Sequence, residues 1–301
     1  MGVLLGLLSA VFAASKDLLS KRLAFRLDGT ASTFASFFFA LPFYVAVLLV
    51  LWLADRETLT WSRSFLLLVF LRAVTDTLAE WLKMYALAFG DISLVATFLA
   101  LSPLFLLVAS PWITGDPLSL WEVAAVVLVV LGGLLMVYRP GTADWRRQSR
   151  GILLACGAAV FFSLNSCFDR LAVQEGTPVF AGFSMTLLSA LFLLPLVLGH
   201  PQRMGSLVSN WGGLSLRGIL EIAFMVCKLA ALQYLTAPDV VALQRLSLLL
   251  AIVGGRVFFK EADFKRRLAA GAMTLAGGLV VGYAQRTSLA QVWEWLLESA
   301  S

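Results

Sequence analysis

The chain has 301 residues, 60% of them hydrophobic and 14% charged, with a formal net charge of +5. A soluble domain carries about 25% charge, so this composition excludes an ordinary soluble protein and describes a polytopic membrane protein. The modest positive charge sits in loops, which argues against nucleic acid as a partner.

A helix needs about 20 apolar residues to cross about 30 Å of hydrocarbon. In chain order such segments fall at 3–23, 32–54, 64–88, 92–113 and 119–138. They recur at 151–172, 178–198, 215–236, 238–259 and 267–285. Residues 1–19 have the length of a signal-peptide core. They lack a basic leader, and the same pattern returns at 151–172, so they are expected to stay as a span. Gly2-Val3-Leu4-Leu5 leads to Ala10-Val11-Phe12, and Gly151-Ile152-Leu153-Leu154 leads to Ala159-Val160-Phe161. Leu131-Gly132-Gly133-Leu134 is answered by Ala276-Gly277-Gly278-Leu279.

The chain is thus an internal duplication. Links as short as Phe89-Gly90-Asp91 and Thr236-Ala237-Pro238 force antiparallel neighbours. Five spans per half is an odd number, so the second half enters the membrane in the opposite sense. The expected fold is an all-α integral membrane protein with ten transmembrane helices as two inverted-topology five-helix repeats. The repeats run over 1–140 and 151–286, joined by a basic loop at 141–150. A tail at 287–301, with Val292, Trp293, Trp295, Leu296 and Leu297, reads as a short interfacial helix.

Basic residues crowd the odd-numbered loops. Lys21, Arg22 and Arg26 stand at loop 1, and Arg139, Arg146, Arg147 and Arg150 between the halves. Arg203 and Arg217 flank loop 7, and Lys260, Lys265, Arg266 and Arg267 surround loop 9. Only Arg56, Arg63 and Arg286 oppose them. The positive-inside bias puts loops 1, 5, 7 and 9 in the cytoplasm and both termini outside. Cys156, Cys167 and Cys227 lie in apolar runs and read as small packing residues.

Charge inside a membrane costs about 2.5–3.5 kcal/mol per residue on insertion scales and marks a pathway or site. The third span carries Arg72, Asp76, Glu80 and Lys83 on one helix face. They form either a translocation stripe or an internal ladder, Arg72–Asp76 and Glu80–Lys83. The eighth span, its repeat partner, carries Glu221 and Lys228, and Lys228 aligns with Glu80. Glu80 and Lys228 are therefore expected to meet across the pseudo-two-fold axis.

The first span holds Lys16 and Asp17, matched in the second half by Asn165, Ser166, Asp169 and Arg170. Lys21, Arg22, Asp169 and Arg170 stand near helix ends and read as interfacial. Gln244 and Arg245 sit near the middle of the ninth span, with Gln233 and Tyr234 as further polar candidates. Lys16, Lys228 and Arg245 make an anion-attracting set unless Asp17, Glu221 or Glu80 neutralises them. Trp81, Tyr85, Phe98 and Phe224 read first as packing. Asp116 and Glu261 precede the fifth and tenth helices and are expected to cap them.

The fourth span begins Asp91-Ile92-Ser93-Leu94-Val95 and contains Leu101-Ser102-Pro103-Leu104-Phe105. Gly115-Asp116 and Gly132-Gly133 follow, and the second copy answers with Phe259-Lys260-Glu261 and Gly277-Gly278. Over residues 2 to 285 this pattern resembles the EamA family of the drug/metabolite transporter superfamily. The resemblance implies ten helices around a central cavity, alternating access and no ATP hydrolysis. Two features depart from it: characterised relatives keep both termini in the cytoplasm, and the second copy has Leu246-Ser247-Leu248 in place of the Ser-Pro pair.

The function expected is secondary transport of a small polar or anionic metabolite, by export or exchange. A translocase for a lipid-linked or phosphorylated headgroup is the alternative within the same fold. Proton coupling through Asp76, Glu80 or Glu221 and exchange with permanent ion pairs both remain open. An enzyme is not expected, because no HExxH or GxSxG motif is present. No cofactor is expected. The expected partners are a small-molecule or lipid-linked substrate and membrane lipids, with a monomer in a bacterial cytoplasmic membrane.

Overall fold

The computed structural model describes residues 2–54, 61–113, 127–128, 131–132, 145–232, 243–244 and 246–284. Among these residues the chain is helical and has no strand. The first half gives α1 (Gly2–Leu23), α2 (Gly29–Phe38), α3 (Leu41–Leu53), α4 (Arg63–Phe89), α5 (Ile92–Leu99) and α6 (Ser102–Ile113). The second gives α7 (Trp145–Glu175), α8 (Pro178–Leu198), α9 (Pro201–Ser209), α10 (Trp211–Leu232), α11 (Leu246–Phe259) and α12 (Phe264–Ala284). Gly2–Leu23, Gly29–Leu53, Gln148–Asp169 and Val179–Leu198 are long and apolar enough to cross a membrane. Helix α4 is longer, at 27 residues, but carries the charged stripe.

Two expected spans are each broken in two. The second divides at Phe39-Ala40, where Pro42 has no N–H to offer the Phe38 carbonyl four residues back. The fourth divides at Ala100-Leu101, just ahead of Pro103. The expected loop at 141–150 is helical from Trp145 onward, as the first turns of α7. A short helix, α9, was not expected, and Pro201 opens it at a position where a missing N–H costs nothing. Most of the fifth span, the tail at 287–301, Asp116, Gln233, Tyr234 and Arg245 lie outside the described residues.

The two most extensive helix pairings are α4 with α7 and α1 with α10. Each joins the first span of one half to the third span of the other. The broken second span, α2 and α3, packs on α8. Buried apolar cores lie between these elements. Phe65, Val69, Phe180 and Met185 form one, with the Phe65 and Phe180 rings stacked at 5.6 Å. Met84, Leu87, Ile92, Val95, Leu248 and Ile252 form another. Cys167 is buried, Cys156 and Cys227 are half-buried, and none of the three is in a disulfide.

Where α4 ends against α7 the backbones touch. A Cβ at Gly151 would lie 3.0 Å from both the Cα and the N of Gly90. Neither helix has side-chain slack there to yield. Gly151→Ala is therefore expected to destabilise the fold by about 1–3 kcal/mol, read as a lowered midpoint in thermal unfolding in detergent. Gly205 in α9 has nothing within 4 Å of a built Cβ, and Gly205→Ala is expected to leave the midpoint unchanged or slightly raised.

Candidate functional site

A central cavity of about 410 Å³ lies between the two halves. The size suits a small solute. Lys16 of α1, Arg72, Asp76 and Glu80 of α4, Asp169 of α7, and Arg217, Glu221 and Lys228 of α10 supply its charged lining. Tyr44, Thr186, Phe224, Met185 and Met225 give hydroxyl and apolar wall.

The charges sort into two layers. Loop 1 and loop 7 stand on one face of the bundle, loop 2 and the 176–177 turn on the other. Nearer the loop-1 face, Lys16 Nζ lies 2.9 Å from Glu221 Oε2 and donates to Oε1 at 3.1 Å. Lys83 Nζ donates to Glu80 at 2.7 Å and stands 3.4 Å from Asp17. Arg217, 2% exposed, donates from Nε to Ser20 Oγ at 2.8 Å and from Nη1 to the Ser36 carbonyl at 3.2 Å. Its Nη2 lies 3.7 Å from Glu80.

Nearer the loop-2 face, Arg72 Nε donates to Asp169 at 2.8 Å and Nη1 lies 2.9 Å from Asp76. Asn165 donates to Asp76 at 3.0 Å and accepts from Thr75 at 2.5 Å. Asn165 holds in the second half the place of Lys16 in the first. Each reaches a carboxylate on the third span of the opposite half.

The expected stripe on α4 faces inward, and both ladder pairs, Arg72–Asp76 and Glu80–Lys83, are present. The expected Glu80–Lys228 contact is not made. Glu80 is held by Lys83 and Arg217 in one layer, and Lys228 lines the other. Among the described residues no carboxylate lies within 4.0 Å of Lys228 Nζ, which stands 6.0 Å from the Phe224 ring centroid. The same ring has Lys16 Nζ at 4.8 Å. Asp17 and Lys83 stand behind the cavity wall, and half-buried Gln244 is also outside the lining.

Asp169, read as interfacial, is instead a cavity carboxylate paired with Arg72. Arg217, counted only for orientation, is a cavity cation. Its signal was present: Arg217, Glu221 and Lys228 share one helix face. Tyr44 and Thr186 had no signal in the sequence. Of the aromatic candidates only Phe224 borders the cavity. Trp81 donates to Thr30 at 3.1 Å, and Phe98 is buried in the core.

On the loop-1 face a buried cluster joins the halves. Lys21, read as interfacial, is 5% exposed and donates to the Leu87 and Gly90 carbonyls at the end of α4. Glu261 does not cap α12, the helix after it. Its carboxylate reaches across to the first turn of α5, accepting from Ile92 N–H at 2.7 Å and Ser93 N–H at 3.3 Å. It also accepts from the Ser93 hydroxyl and from Arg267 Nη1 at 2.9 Å. Arg267 Nη2 donates to Asp91 at 2.5 Å. Lys260 and Asp263, at φ of 54° and 57°, bend loop 9 through the left-handed region and aim Glu261 back at α5. Burial pushes the Glu261 carboxyl above its ordinary range, and the Ser93 hydroxyl and Arg267 pull against it.

A family model described as the EamA-like transporter family matches residues 1–138 and 149–283. A solved structure titled only as the crystal structure of a protein superposes with a TM-score of 0.58 at 18% identity. The alignment covers 91% of this chain and 98% of the other, and at that identity it speaks for the fold alone. No curated protein matches.

Proposed function

The chain belongs to the EamA-like transporter family, and on that premise we propose that it is a secondary active transporter working by alternating access. It exports or exchanges a small polar or anionic metabolite across a bacterial cytoplasmic membrane. Its two halves have inverted topology, and a monomer suffices. The observation that carries the reading is the cavity of about 410 Å³, whose charged lining comes from both halves. A cavity walled by two halves changes shape when the halves rock against each other, which is what alternating access requires. Lys228 supports the anionic class: it is a lining cation with no carboxylate within 4.0 Å among the described residues.

The test is counterflow in proteoliposomes holding wild type or Lys228→Met, with amino acids, monocarboxylates, organophosphates and neutral sugars as solutes. The expected result is counterflow of at least one anion-bearing solute, reduced about tenfold or more in Lys228→Met. Protection of the protein only by polyprenyl-phosphate lipids would replace metabolite transport with headgroup translocation. Counterflow of sugars alone would end the anionic reading.

A further inference from the structure

We infer that Arg217 and Gly218 form the gate that closes the cavity toward the loop-1 face, docked on the break in the second span as a two-position switch. The inference rests on the transport reading, since a gate has meaning only for a carrier.

At the end of α2 the helical ladder changes register. The Ala40 N–H bonds to the Phe37 carbonyl at 3.1 Å rather than to Ser36 four residues back. The Phe43 N–H likewise bonds to Ala40 and not to Phe39. The break therefore turns the Ser36 and Phe39 carbonyls away from their own helix. Both face the first turns of α10, in the other half. Arg217 Nη1 donates to the Ser36 carbonyl at 3.2 Å. A Cβ at position 218 would sit 2.2 Å from the Phe39 carbonyl oxygen and 2.9 Å from its carbon. Only glycine permits this contact, because the obstacle is backbone and cannot swing aside.

Two arrangements of these groups are then available. In the docked state the Ser36 carbonyl takes its hydrogen bond from Arg217. If α10 withdraws, the Ala40 N–H can move from Phe37 to the Ser36 carbonyl in an ordinary helical bond, and the Leu41 N–H, four residues after Phe37, can take the carbonyl it leaves. An interface that exchanges one satisfied arrangement for another is the kind of bistable element that supports a switch. Arg217 also joins the switch to the cavity. Its Nε bonds Ser20 of α1, and its Nη2 stands 3.7 Å from Glu80 of α4. Ser36, Phe37, Ala40, Glu80 and Arg217 all line the cavity, so a solute that draws Glu80 away loosens the guanidinium that holds the gate.

The experiment reads side-specific access. Ala40→Cys is placed in a protein whose Cys156, Cys167 and Cys227 are alanine, reconstituted in one orientation and exposed to a membrane-impermeant maleimide from either face. With the native gate, labelling is expected from the loop-2 face and to be slow from the loop-1 face. Gly218→Ala and, independently, Arg217→Gln are expected to raise the loop-1-face rate about tenfold or more. Arg217→Gln leaves the close approach of Gly218 to the Phe39 carbonyl in place and serves if Gly218→Ala does not yield a monodisperse protein. Folded variants with an unchanged rate, or native protein labelled equally from both faces, would overturn the gate. Counterflow in the same vesicles is read separately. Flux without a labelling shift removes the gate alone, and a shift with no flux of any solute removes the transport reading and the gate with it.

Discussion

Arg72→Leu is expected to abolish transport and to lower the thermal midpoint more than any other cavity substitution. Arg72 serves two carboxylates at once, Asp169 through Nε at 2.8 Å and Asp76 through Nη1 at 2.9 Å. Leucine keeps most of the volume and removes the charge, which leaves two anions inside the membrane with one Asn165 amide between them. Breaking a buried pair from one side costs about 3–5 kcal/mol, because the orphaned charge stays buried. Here one deletion takes the same guanidinium from largely buried Asp76 and from half-exposed Asp169. The triple variant Arg72→Leu, Asp76→Asn, Asp169→Asn removes the uncompensated charge and is expected to recover most of the lost midpoint. It is not expected to recover flux. Thermal unfolding and counterflow on the same preparations separate the two effects. A triple variant that transports normally would show the cluster to be scaffold.

Glu261→Ala is expected to have the next largest effect, on stability. The carboxylate is 6% exposed and accepts from two backbone amides, one hydroxyl and one guanidinium. Alanine strips the acceptor from the first turn of α5 and leaves Arg267, itself 6% exposed, with Asp91 and the Ser93 hydroxyl. The expected loss is about 3–5 kcal/mol, seen as a lower midpoint and less monodisperse protein on size exclusion. Glu261→Gln keeps one oxygen for the Ile92 amide and is expected to lose about half as much. A Glu261→Ala protein with the native midpoint would mean that loop 9 is not what holds α5.

The spacing of residues within α4 made both of its ion pairs legible, since four-residue and three-residue intervals stack side chains on one face. The same logic, carried along α10 from Lys228 and Glu221 back to Arg217, would have found the gate cation. The repeat alignment was less informative. Residues equivalent by duplication need not stand at the same depth in the bundle. Glu80 is about 13 Å along the helix from the loop-1 end of α4 at Phe89. Lys228 is about 26 Å from the start of α10 at Trp211, on that same face. They align in sequence and differ in depth. Glu261 escaped for another reason: a carboxylate before a helix is ordinarily that helix's cap. Only the left-handed backbone at Lys260 and Asp263 turns it toward a helix of the other half. Asp169 was misread because helix α7 runs on to Glu175, which leaves it more than a turn inside.

The pairing of α1 with α10 has a consequence for how the protein is made. Lys16 and its carboxylate Glu221 are 205 residues apart in the chain. At about 5–20 residues per second of synthesis, the ribosome takes about 10 to 40 seconds to deliver the partner after the lysine has emerged. Through that interval the first helix waits in or beside the insertion machinery with its main packing surface uncovered. The first half cannot finish assembling until the second is largely written, so the two halves mature together, and a ribosome stalled between them leaves an unfinished molecule for quality control to remove.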